Sequence, residues 1–170
     1  MEKAVTKNNT IKTYPIKLKI PDDYFEPSYY NQDIPDNDTD IIKDYPTLSL
    51  SYVKKYINAE CYAYALKNNN LCDLEDSFGY LQRLYRPISI ENIKIGDIIT
   101  YYNIEKNTKG LNEPNDTTIE HFAIVTDIIK TNRLYIRIKS KWGLNGIFEG
   151  SYNLLPEFYG NTFSIWRKKK

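Results

Sequence analysis

Two residues in this sequence have side chains suited to nucleophilic catalysis and stand where a fold could join them: Cys61 and His121. A thiol is a weak nucleophile until it loses its proton, and a helix N-terminus or a neighbouring imidazole favours that loss. Cys61 precedes the short apolar run Tyr62-Ala63-Tyr64-Ala65-Leu66. His121, the only histidine, opens the run Phe122-Ala123-Ile124-Val125. The first reads as helix and the second as strand. A cysteine in the first turns of a helix packed on a sheet, facing a histidine on a strand, meets both conditions. The expectation is that Cys61 is the more reactive thiol and that His121 points at it. Taken singly, a cysteine on an apolar helix is more often a small buried hydrophobe, and a lone histidine more often structural. Cys72 falls in a connector and reads as structural.

The elements that must position this pair follow from the patterning. Ser49 or Ser51 is placed to cap a helix running through Tyr52, Val53, Tyr56, Ile57, Cys61, Ala65 and Leu66, apolar positions at three- and four-residue steps. Asn68-Asn69-Asn70 ends it, and Asp73 to Leu84 reads as a helical or irregular connector. Three β-rich runs follow: Ile93 to Tyr101 across a Gly96-Asp97 turn, His121 to Val125, and Leu134 to Ile138. Lys130 to Asn132 fits a hairpin turn between the last two. A polar loop covers Asn103 to Thr118, Gly143, Gly146 and Gly150 read as turns, and Phe163 to Trp166 as a last strand. Helix first and antiparallel sheet after gives the α+β class. Residues 1–47, broken by Pro15, Pro21, Pro27, Pro35 and Pro46, read as an extended N-terminal arm lying on the surface of a 48–170 domain.

Bulk composition narrows the function. At 170 residues, 41% hydrophobic and 26% charged, the chain suits one domain with a real core. A net charge of +1 gives no electrostatic reason to expect nucleic acid or an anionic membrane as partner. Two cysteines are too few for a disulfide framework, and one histidine without a paired cysteine motif argues against zinc. No phosphate-binding glycine loop or dinucleotide fingerprint is present, so no cofactor is expected. The first twenty residues are polar and lysine-bearing, which sets a cytoplasmic location as the default, with non-classical export compatible.

Taken in order, Glu60-Cys61-Tyr62-Ala63-Tyr64-Ala65, Ile95-Gly96-Asp97-Ile98-Ile99-Thr100-Tyr101, His121-Phe122-Ala123-Ile124-Val125, Ser140-Lys141-Trp142-Gly143, Tyr159-Gly160 and Ile165-Trp166-Arg167 form a set. That set resembles papain-like cysteine peptidases and amidohydrolases of the NlpC and CHAP type over about residues 50–167. The resemblance implies a papain-like fold, an N-terminal helix packed on an antiparallel sheet. It implies a cysteine hydrolase or acyltransferase acting on amide or isopeptide bonds, with peptidoglycan peptides or proteins as substrate. Cys61 would attack, His121 would carry the proton, and a third group would orient the imidazole. The matching position for that group is Lys139, with Ser140 one step along. Lysine cannot accept the imidazole N–H, whereas serine can, so Ser140 completes the candidate set, with Glu120, Glu60 and Asn145 as substitutes. The rival reading is a catalytically degenerate papain-like domain that binds a protein, with Tyr24, Phe25, Tyr29 and Tyr30 at its interface.

Overall fold

The computed structural model describes residues 10–24, 37–56, 59–105, 112–143 and 146–170. Its elements in chain order are β1 (Tyr14–Pro15), α1 (Asn37–Asp44), β2 (Ser49–Ser51), α2 (Cys61–Leu66), α3 (Leu74–Leu84), β3 (Tyr85–Ile88), β4 (Ile98–Tyr102), β5 (Ile119–Lys130), β6 (Leu134–Lys141), β7 (Ile147–Ser151) and β8 (Thr162–Lys168). The strands make one antiparallel sheet in the order β1-β8-β4-β5-β6-β7-β2, with β3 also paired to β8. The class is therefore α+β. Among the described residues no helix is long and apolar enough to cross a membrane.

The hairpin β5–β6 is the longest pairing and follows from its alternation. Ile136 and Ile138 are buried, while Tyr135 is exposed. The ladder runs from Ile124 opposite Lys139 to Lys130 opposite Leu134, across the expected turn. One sheet face packs α2 and α3 through Cys61, Ala65, Leu66, Phe78, Phe122 and Trp166. The other face packs Ile99, Tyr101, Ala123, Val125, Trp142 and Phe163 against the N-terminal segment.

Three elements differ from the sequence expectation. The helix begins at Cys61, not near Ser51, because Ser49–Ser51 pairs with β7 and leaves Tyr52 and Val53 exposed. Residues Leu74–Leu84 form a regular helix, capped where Asp73 accepts the Asp76 N–H at 2.7 Å. The N-terminal arm is neither wholly extended nor superficial: Asn37–Asp44 is helical, and Leu18, Ile20 and Ile41 are buried in the main core.

The Gly96-Asp97 turn is structural. Gly96 adopts φ +93, a left-handed conformation that suits glycine. Asp97 then caps the Lys94 N–H and grips Arg167 at the far end of β8 through both carboxylate oxygens at 2.8 Å.

Candidate active site at a strand fork

β5 and β6 diverge at the end where His121 lies. The Val125 N–H goes to the Asp97 carbonyl on the β4 side. Amide direction alternates along a strand, so Phe122 turns its N–H to the β6 side. The β5–β6 ladder starts only at Ile124 opposite Lys139. Continued, that register would set Lys141 opposite Phe122, but the β5–β6 pairing stops there while β6 stays paired with β7 through Lys141 opposite Ile147. Cys61 lies near this fork, close enough to Phe122 for that residue's N–H to lower the pKa of the thiol.

Cys61 arrives as the first residue of α2, held by the helix face. Tyr62 packs edge-on against Phe122 at 6.5 Å, and Ala63 and Ala65 let the helix lie close. The thiol is free and buried. Burial pushes its pKa up to about 12; the N–H groups of Phe122, Tyr62 and Cys61 pull it down, and Glu60 raises it further. The expected lowering is therefore reversed, because desolvation of a thiolate outweighs three amides. Cys72 is the exposed thiol.

His121 lies one residue from the amide that meets the sulfur. It is opposite Tyr101 on β4 and is fully buried. Its side chain points away from the α2 face: alternation sends Phe122 beneath the helix and His121 to the other side, onto Tyr159. The two rings stack at 3.7 Å and 16°. Neither imidazole nitrogen has a hydrogen-bond partner among the described residues. Burial drops the imidazole pKa from 6.5 to about 3, so it is neutral. The expectation that His121 points at Cys61 is not met: the thiol belongs to the cluster on the helix side with Phe122, the imidazole stacks on Tyr159 on the other side, and no thiol–imidazole hydrogen bond forms among the described residues. Tyr159, stacked on the imidazole, is itself within reach of the charges on Cys61 and Glu60, which add to burial in raising its pKa.

Gly160 fixes Tyr159. Its φ is +126, and a Cβ there would lie 2.3 Å from the Tyr102 carbonyl oxygen, so only glycine lets the chain turn back on β4 after the tyrosine.

Ser140 is fully buried on the His121 side of the sheet, but its hydroxyl accepts the Trp142 indole N–H at 3.0 Å and makes no bond to the imidazole. The expected orienting role is not met. Lys139 faces the α2 side, opposite Ile124, and bears on Lys67. Glu120 is half-buried, and burial raises its pKa. Asn145 lies outside the described residues, as do Phe25, Tyr29 and Tyr30.

Lys141 carries a buried ammonium that the sequence pattern does not single out. It is 2% exposed, and its ammonium donates to the Gly143 carbonyl at 2.7 Å. Burial lowers its pKa, and Glu60, Asp38 and Cys61 each push it back up. The signal available in sequence was a lysine at an alternate position of a strand end otherwise flanked by buried residues. A surface cleft of about 490 Å³ between α3 and residues 114–116 includes none of these side chains.

Among the described residues no cluster of histidine, cysteine and carboxylate side chains is arranged to hold a metal ion. No protein family, curated protein or solved structure matches the chain.

Proposed function

We propose that this chain is a papain-like cysteine hydrolase or acyltransferase for amide or isopeptide bonds, closed in its resting state. The observation that carries the reading is the fork: a buried thiol at the start of a helix, near the strand whose buried imidazole has neither nitrogen paired among the described residues. Unpaired buried polar groups are rare and costly, and they concentrate where chemistry needs them.

In the reaction the Cys61 proton passes to His121 and the thiolate attacks the carbonyl carbon. The C–N bond breaks, His121 returns the proton to the leaving amine, and a thioester remains on Cys61. Water or an acceptor amine then releases the acyl group. Substrate entry has to open the fork, because the imidazole must turn from Tyr159 towards the sulfur. The substrate class, a peptidoglycan peptide or a protein, rests on the family resemblance alone.

The burial of the thiol favours a second reading, a degenerate domain that binds a protein partner. Incubation of wild type and Cys61→Ala with peptidoglycan fragments and protein substrates separates the two. Turnover by wild type alone supports the enzyme; equal behaviour of both proteins in every assay refutes it.

A further inference from the structure

The ring that stacks on His121 is carried by a short helical turn, Glu157–Tyr159, and that turn does not cap itself. The first amides of a helical turn have no partner within it. Pro156 stands at the capping position, and its side chain has no acceptor to offer. Both amides are instead taken by the N-terminal arm. The Glu157 N–H donates to the Ile20 carbonyl at 2.9 Å, and the Phe158 N–H donates to the Asp22 carboxylate at 3.0 Å. The same segment grips the chain before the turn. The Ile20 N–H donates to the Leu155 carbonyl at 3.1 Å and the Lys19 N–H to the Asn153 carbonyl at 3.0 Å, while Ile20 bridges Pro156 in parallel.

Tyr159 therefore sits between two supports of different kinds. On its exit side Gly160 lies against the Tyr102 carbonyl, and the Asn161 N–H donates to that same oxygen at 2.9 Å, so the chain is fixed to β4. On its entry side the support is a segment some 136 residues away in sequence. Leu18 and Ile20 fill the core beside Tyr159, and packing alone accounts for them. Asp22 is exposed, so its carboxylate adds no buried area and acts on the turn through the Phe158 amide. The imidazole has no hydrogen bond of its own among the described residues. It meets Tyr159 at 3.7 Å and Tyr101 at 5.9 Å, so ring packing holds it, and that packing lasts only while the turn stays in place.

We propose that residues 19–22 are a strap that regulates the candidate site. By capping the Glu157–Tyr159 turn they hold Tyr159 on the imidazole and keep His121 turned from the thiol. When the cap is released, Tyr159 moves off and the imidazole is free to turn. What the release accomplishes rests on the proposed reaction; the release itself does not.

His121 is the only histidine, so carbethoxylation by diethyl pyrocarbonate, followed through the ultraviolet absorbance of the modified imidazole, reads its release alone. The full chain is used at neutral pH. Asp22→Ala removes one cap and should speed modification about fivefold. Asp22→Asn keeps an acceptor oxygen and should stay near wild type. Thr100→Val weakens the polar network under α3 without touching the strap, and its rate should match that of wild type. An unchanged rate in Asp22→Ala, or an equal gain in Thr100→Val, overturns the proposal. The first would mean that the turn holds without the strap, the second that general loosening exposes the ring. If Asp22→Ala does not fold, wild type decides. The opening free energy reported by hydrogen exchange at the Glu157 and Phe158 amides should equal that reported by His121 modification; modification that tracks the slowest amides of β5 instead overturns the proposal. Amide hydrolysis is not measured, so a strap can be found in a chain that is no enzyme, and an enzyme can lack one.

Discussion

Two buried polar groups lie on the same sheet and are treated in opposite ways. Under α3, Thr100, Tyr102, Ser164 and Trp166 close a complete network: Thr100 meets Tyr102 at 2.6 Å and Ser164 at 2.7 Å, and the Trp166 indole donates to both Thr100 and Ser164. At the fork, a few residues away, the His121 imidazole is just as buried and bonds to nothing among the described residues. The network is what a core looks like when polar groups serve stability. The imidazole and the Cys61 thiol are both desolvated and do not bond to one another, which costs stability.

The sharpest way to break this contrast is with acid. Below pH 6.5 the unfolded chain takes up a proton at His121 that the folded chain refuses until about pH 3. Stability contributed by the neutral imidazole is therefore complete above pH 6.5 and falls away as pH drops towards 3, by on the order of 5 kcal/mol. Urea unfolding across that range should show a steep loss in wild type and a clearly shallower one in His121→Phe. Equal slopes would mean the imidazole is solvated or paired.

Smaller effects sharpen it from the other side. Thr100→Val removes the oxygen shared by three partners and should cost roughly 1–3 kcal/mol at pH 7. His121→Phe should do the reverse, raising stability by about 1 kcal/mol through removal of two nitrogens unpaired among the described residues while the ring still stacks on Tyr159, and it should abolish turnover. A loss of stability in His121→Phe comparable to Thr100→Val would show that the two regions do not differ. The smallest effect is kinetic. In native protein at neutral pH, iodoacetamide should label exposed Cys72 well before Cys61, and mild urea should narrow the gap.

Much of this arrangement is legible in the sequence because local pattern determines it. Leu134 to Ile138 alternates as a half-buried strand must, and Lys130 to Asn132 marks its turn, so the hairpin carrying His121 follows directly. Phe163 to Trp166 reads as a strand for the same reason. The helix start does not, because Tyr52, Val53 and Tyr56 mimic helical spacing in a segment that first pairs with β7 as Ser49–Ser51. The strand Ile147–Ser151 is hidden by its own glycines. Gly146 and Gly150 read as turns, but a Cβ at either would lie about as close as 2.4–2.5 Å to Leu50 or Leu48, so they are glycines of close approach. Within the site, the pairing of Cys61 with the His121 segment is readable from order and spacing. Which side of the sheet each side chain takes is not, since it depends on register, and one step of register exchanges Ser140 for Lys141 on the helix side.

The central claim is that Cys61 at the fork forms an acyl-enzyme with the help of His121. Intact-protein mass spectrometry after exposure to an activated acyl amide tests it most directly, with wild type, Cys61→Ala and His121→Phe side by side. The account predicts a single acyl adduct that maps to Cys61 in wild type, is absent in Cys61→Ala, and forms far more slowly in His121→Phe. Acylation confined to Cys72, or an adduct at Cys61 that forms equally fast without the imidazole, would contradict it.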